Sequence, residues 1–149
     1  LETGIRIRLL REGAKIPEYA TGGSAAFDLR ACMDKEELTI NPGELKSVPT
    51  GIAIQPEDAG FATFVFARSG LAVKHGVALS NGVGVIDADY TGEISVGLVN
   101  LSDKPYTIKN GERIAQAAVM PVSRAVFALC SKLDATARGA GGFGSSGRM

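Results

Sequence analysis

The sequence predicts an all-β domain, a sandwich, barrel or jelly roll, and three observations carry that reading. Apolar residues alternate with period two over many short stretches. Turn-forming groups, among them Asn41-Pro42-Gly43, Ser80-Asn81-Gly82, Lys104-Pro105 and Asn110-Gly111, punctuate those stretches. Between them lies no helical pattern of about 12 residues, so crossover helices and a parallel sheet are not expected. At 149 residues and 45% hydrophobic content, the chain suits one domain that buries about two thirds of its surface.

The strands follow in order. Ile5-Arg6-Ile7-Arg8-Leu9 alternates cleanly, and Ala25-Ala26-Phe27-Asp28-Leu29-Arg30-Ala31 sets one carboxylate in a small and apolar strand. Residues 45–54 read as one long strand. Phe61-Ala62-Thr63-Phe64-Val65-Phe66-Ala67 is rich in aromatic and β-branched side chains. Ser69–His75 is expected to form a helical turn or two. Residues 77–79, 94–100, 106–108, 114–119 and 126–129 complete the strands. The apolar pattern stops near Thr136 and a glycine-rich segment begins. Residues 1–137 are therefore expected to form the domain and residues 138–149 an appended arm.

Composition narrows the function. Sixteen Lys+Arg balance sixteen Asp+Glu, so no global positive field draws the chain onto nucleic acid or an anionic membrane. Cys32 and Cys130 have no CxxC spacing and His75 is the single histidine, which argues against structural zinc. Both cysteines are expected to be free, buried thiols in a reducing compartment. Lacking both an apolar run of about 18 residues and a signal-peptide pattern, the chain is expected to be soluble and cytosolic.

Five segments carry chemistry. The tail Arg138-Gly139-Ala140-Gly141-Gly142-Phe143-Gly144-Ser145-Ser146-Gly147 holds five glycines in ten residues. It offers a guanidinium fork, an aromatic ring, two hydroxyls and unobstructed N–H groups, a composition suited to an anion; a frayed terminus is the alternative. Asn81-Gly82-Val83-Gly84-Val85-Ile86-Asp87-Ala88-Asp89-Tyr90 reads as a tight hairpin. Its Val85 and Ile86 would anchor Asp87 as a general base, or Asp87 would serve an Asx-type turn. Ala67-Arg68-Ser69-Gly70-Leu71 suits a phosphate cradle, or Ser69 is a plain N-cap. Gln116 stands in an apolar strand and wants a partner, as does Asp28. Arg113 reads as a salt-bridge residue.

These segments resemble, in order, the five motifs of the homotrimeric dUTP pyrophosphatases, or dUTPases. They are Ala26-Phe27-Asp28-Leu29-Arg30-Ala31, Ala67-Arg68-Ser69-Gly70-Leu71, the run from Gly84 to Gly92, Gly111-Glu112-Arg113-Ile114-Ala115-Gln116, and the tail from Arg138. The resemblance spans almost the whole chain and implies a β-clip, or distorted jelly roll, in a homotrimer whose subunits share active sites. It implies hydrolysis of dUTP to dUMP and pyrophosphate. Asp87 would be the general base and Tyr90 the ring under the deoxyribose. Asn81 with the backbone of Gly84, Val85 and Ile86 would read uracil. Arg68, Ser69, Gly70 and Gln116 would contact phosphates. Asp28 would hold Mg²⁺ through coordinated waters, the ion being chelated by the triphosphate. Arg138 would clamp the γ-phosphate and Phe143 stack on uracil, while Gly142, Ser145 and Ser146 complete the phosphate envelope. The alternatives to weigh are a dCTP deaminase-like or bifunctional nucleotide enzyme and a non-enzymatic regulatory protein of the same fold.

Overall fold

A computed structural model of the chain describes residues 2–142. Among them, eleven strands and one helix follow in the order β1 (Ile5–Leu9), β2 (Phe27–Arg30), β3 (Glu37–Ile40), β4 (Leu45–Pro49), β5 (Ile52–Pro56), β6 (Phe61–Phe66), α1 (Ser69–His75), β7 (Val77–Leu79), β8 (Gly84–Ile86), β9 (Ser95–Asn100), β10 (Tyr106–Lys109) and β11 (Arg113–Pro121). They form four small sheets, ordered β1-β5, β10-β3, β2-β11-β6-β8 and β4-β9-β7. Every pairing is antiparallel.

The alternation in the sequence is the cause. Along β2, Phe27 and Leu29 are buried while Asp28 and Arg30 turn the other way, as side chains on a pleated strand must. Sheets of two to four strands are too small to stand alone, so each buries its inner face against the others. Leu29, Ile40, Val48, Ile52, Leu98 and Ile108, drawn from all four sheets, meet in one core. Burying each such side chain contributes about 1.5–3 kcal/mol. Asn100 fastens two of the sheets at the end of β9. Its fully buried amide donates to Ile40 O at 2.9 Å and Lys104 O at 2.7 Å, and accepts from Ser102 N–H at 2.9 Å.

Several local expectations are corrected. Residues 45–54 are two strands, because Gly51 takes φ +71° and turns the chain from one sheet to another. A side chain there would strike Ala14 Cβ at 2.8 Å and Cys32 Sγ at 2.9 Å. Strand β3 lies where no strand was expected, its short mixed sequence being stabilised by pairing with β10. The turn at Asn81-Gly82 does not close a hairpin: β7 pairs with β9, whereas β8 pairs with β6. Ser69 is the first residue of α1 rather than its N-cap, which is Arg68 without a side-chain cap bond. Residues 126–129 form no strand, and Val126, Phe127 and Leu129 are almost wholly exposed, since no strand edge among the described residues pairs with them. Cys32 is buried as expected, but Cys130 is exposed in this same segment. No helix among the described residues is long and apolar enough to cross a membrane.

Tyr106 on β10 packs its ring against His75 of α1, with centroids 4.9 Å apart, and donates its hydroxyl to Glu112. Burial and then the Glu112 carboxylate push the phenol up to about 12. A raised acid stabilises the fold below its ordinary value, about 10, and loses that contribution as pH rises from there towards 12. Ultraviolet titration should reveal a tyrosinate step near pH 12, which Tyr106→Phe should remove; persistence of the step in that variant would reassign it.

Candidate active site

The residues expected to handle a base and sugar gather on one cleft of about 250 Å³, lined by Asn81, Gly84, Val85, Ile86, Asp87 and Tyr90 among others. Strand β8 makes the cleft usable. It is the edge of its sheet, bonded only to β6 among the described strands, so its outer row of N–H and C=O groups is open to a ligand. Gly84 pairs with Val65, and an added Cβ would come within 3.0 Å of the Val65 Cβ. A side chain there would force Val65 to give by a few tenths of an ångström. Val85 does not anchor the strand as expected; it is 59% exposed, whereas Ile86 packs on the core.

Asp87 follows directly where β8 ends, and its carbonyl accepts the Tyr90 N–H at 3.1 Å. The short turn brings an exposed carboxylate and a half-exposed ring onto the same rim. Tyr90 lies over Gly92, where a Cβ would fall 2.6 Å from the phenol oxygen. Its hydroxyl donates to Glu93 O at 2.9 Å.

A second cleft, about 480 Å³, collects Asp28, Arg68, Ser69, Gly70 and Gln116 with Arg113. Strand β11 explains the gathering, for Gln116 lies opposite Asp28 on one side and Phe66 on the other. The carboxylate sought by the sequence reading has its cations: Arg68 Nε is 2.8 Å from Asp28 Oδ1, and Arg113 Nη1 is 3.1 Å from Oδ2. Gln116 satisfies its amide by donating to Ala67 O at 3.0 Å. Two guanidinium groups against one carboxylate leave the cleft positive, which suits a polyanion. The Cβ direction of Gly70 faces open space.

These two clefts share no lining residue, so a single chain does not bring its own base-side and phosphate-side residues together. Arg138 bonds within its own segment, Nε donating to Gly141 O at 2.7 Å, and Gly142 is half-buried. Phe143, Ser145 and Ser146 lie outside the described residues. No group of three or more His, Cys, Asp or Glu is arranged to hold a metal among the described residues. Asp28, with both oxygens paired to arginines, does not form a metal site by itself.

Glu93 was not anticipated. It lines the base-side cleft, and the Arg11 side chain beside it holds its carboxyl below the usual range against the opposing effect of burial. The only trace in the sequence is a carboxylate between Gly92 and apolar Ile94.

Known proteins share this sequence pattern and fold. The family model described as dUTPase matches residues 12–147. A deoxyuridine 5'-triphosphate nucleotidohydrolase from Desulfitobacterium hafniense is 55% identical over 133 residues, 89% of this chain and 87% of its own. One of the same name from Neisseria meningitidis is 46% identical over 147 residues, 99% of this chain and 97% of its own. The Staphylococcus bacteriophage 80alpha dUTPase with dUPNHPP superposes with a TM-score of 0.87 at 24% identity, over 97% of this chain and 99% of its own. A mutant dUTPase of the S. aureus phage phi11, described with a structural Mg(II) ion, gives 0.78 at 20% identity over 89% and 99% of the two chains. Sequence and fold agree throughout, and the chain belongs to the dUTPase family.

Proposed function

We propose that the protein hydrolyses dUTP to dUMP and pyrophosphate, with Asp87 as the general base for a water that attacks the α-phosphorus in line. One observation carries this reading: Asp87 stands at the end of an open strand edge, on the same rim as Tyr90. Backbone N–H and C=O groups of β8, with Asn81 beside them, suit uracil, whose donor and acceptor pattern at N3 and position 4 is the inverse of cytosine's. Tyr90 would lie under the deoxyribose and leave no room for a 2′-hydroxyl.

Arg68, Ser69, Gly70 and Gln116 would receive the phosphates, and Arg138 would clamp the γ-phosphate. Phe143 would stack on the uracil, with Gly142, Ser145 and Ser146 closing the envelope. When bound, Mg²⁺ chelated by the triphosphate supplies positive charge against the phosphate oxygens, and Asp28 would meet it through waters. Arg68, held in the structure by Asp28 and the Arg113 carbonyl, would be the cation on the phosphate side, where fixed cations stabilise charge building on the leaving group.

The domain would comprise residues 1–137 and the closing arm residues 138–149. A homotrimer with shared sites is supported by the separation of the two clefts within one chain and by the exposed apolar run of Val126, Phe127, Leu129 and Leu133. Such a run gains most by being covered by another copy, and closed cyclic symmetry covers all copies equally. We assign the enzyme to the cytoplasm on its sequence character.

Product analysis in ¹⁸O-water tests the chemistry: label should enter dUMP, and label in pyrophosphate would exclude attack at the α-phosphorus. Asp87→Asn retains shape but not the proton acceptor, so kcat should fall by about 10²–10⁴-fold with nucleotide affinity little changed. Turnover within a few-fold of the parent would pass the role to another group. Light scattering should give three times the 15.5 kDa chain mass, and removal of residues 138–149 should preserve the trimer, at three times the shortened chain's mass, while abolishing most activity. A fully active monomer would refute the shared-site arrangement.

A further inference from the structure

Glu93 has no part in the reaction as proposed, yet two groups grip its carboxylate through three hydrogen bonds. Arg11 pairs with it through two prongs, Nε to Oε1 at 2.6 Å and Nη2 to Oε2 at 3.0 Å. The Gly51 N–H donates to Oε1 at 3.0 Å. Arg11 is itself steadied by Asp34, with Nη1 3.0 Å from Oδ1. Both partners are largely shielded, their side chains being 29% and 23% exposed, and a two-pronged guanidinium–carboxylate pair fixes orientation as well as distance.

What the clamp orients is the main chain that carries Tyr90. Residues 91–93 make no backbone–backbone hydrogen bond among the described residues, whereas Ile94 is tied on both sides, its N–H donating to Ile52 O at 2.9 Å and its carbonyl accepting the Thr50 N–H at 3.0 Å. The Glu93 carbonyl lies at the boundary between these two regimes and is the acceptor of the Tyr90 hydroxyl. The ring is thus supported at one end by its own turn, beneath by Gly92, and at its tip by a carbonyl whose side chain is pinned to Arg11 and Gly51. Asp87 belongs to the same turn, through its carbonyl and the Tyr90 N–H.

We infer that Arg11 and Glu93 are positioning residues: their clamp holds the Tyr90 ring in place and thereby sets selectivity for a 2′-deoxyribose over a ribose nucleotide. The selectivity rests on the reading of Tyr90 as the ring under the sugar; the ring's position does not. Arg11 comes from the segment after β1 and Gly51 from the β4–β5 turn, so discrimination at the sugar depends on residues remote in sequence from the motif that reads it.

The test combines a structural and a kinetic readout on the full chain. Fluorine NMR of fluorotyrosine-labelled protein follows the ring, the Tyr90 signal among three tyrosines being assigned with Tyr90→Phe. In Arg11→Ala the Tyr90 signal should shift or broaden, and the ratio of kcat/KM for dUTP over UTP should fall by about 10- to 100-fold, the scale of a misplaced contact. Arg11→Lys keeps the charge without the fork and should lie between; it carries the comparison if Arg11→Ala does not fold. Added to Tyr90→Phe, which lacks the hydroxyl, Arg11→Ala should change the ratio little further. An unmoved Tyr90 signal overturns the clamp. A moved signal with an unchanged ratio in Arg11→Ala, while Tyr90→Ala lowers the ratio, overturns the inference on selectivity. If Tyr90→Ala also leaves the ratio unchanged, the sugar reading of Tyr90 fails and the selectivity inference with it, while the clamp on the ring stands.

Discussion

Strand β11 is the constraint on which the rest of the molecule depends. It is hydrogen-bonded along both edges, to β2 on one side and β6 on the other; Ile114, Ala115 and Ala117 are fully buried, the first two where the register with β2 is interrupted. Small side chains at two of these three positions let the neighbouring sheets approach closely. The same double pairing sets Gln116 against Asp28 and brings Arg68, at the end of β6, to the carboxylate. A structural necessity and a cluster of charges therefore share one strand register. Because side chains alternate with period two, a slip of one residue would turn Gln116 into the core and Ala117 out of it.

Electrostatics follows from that register. Asp28 within a small and apolar strand would be costly unpaired, and Arg68 and Arg113 together satisfy it. The arrangement leaves net positive charge in the phosphate-side cleft although the chain as a whole is neutral. Local concentration of arginine achieves what a basic surface would otherwise do, without attracting polyanions elsewhere. On the other cleft the logic is reversed. There Glu93, paired with Arg11, lines the cleft together with an open backbone edge, the Tyr90 ring and the Asp87 carboxylate.

Two features unexplained by one chain alone point the same way. The base-side and phosphate-side clefts have no residue in common, and Val126, Phe127, Leu129 and Leu133 stand almost bare. Scattered exposed apolar residues are ordinary, but a contiguous run of large ones beyond the last strand is a surface in want of a partner.

The sequence by itself determined the elements whose signal is local. Period-two alternation located β1, β6, β9 and β11, glycine and asparagine located the turns, and the order of the five motifs identified the family and the residues to watch. Tertiary structure decided whatever depends on partners distant along the chain. Residues 45–54 look like one strand because alternation is blind to the positive φ of Gly51, where a side chain would strike Ala14 and Cys32. Strand β3 is too short and mixed to declare itself before β10 lies beside it. The turn after Ser80 resembles a hairpin because turn chemistry reports that the chain bends, not which edge it meets next. Val126 to Leu129 carry a strand's composition without a strand's neighbour. Glu93 was hidden for the same reason: its role comes from Arg11, 82 residues away in sequence, and a carboxylate's partner is written in three-dimensional proximity rather than in spacing.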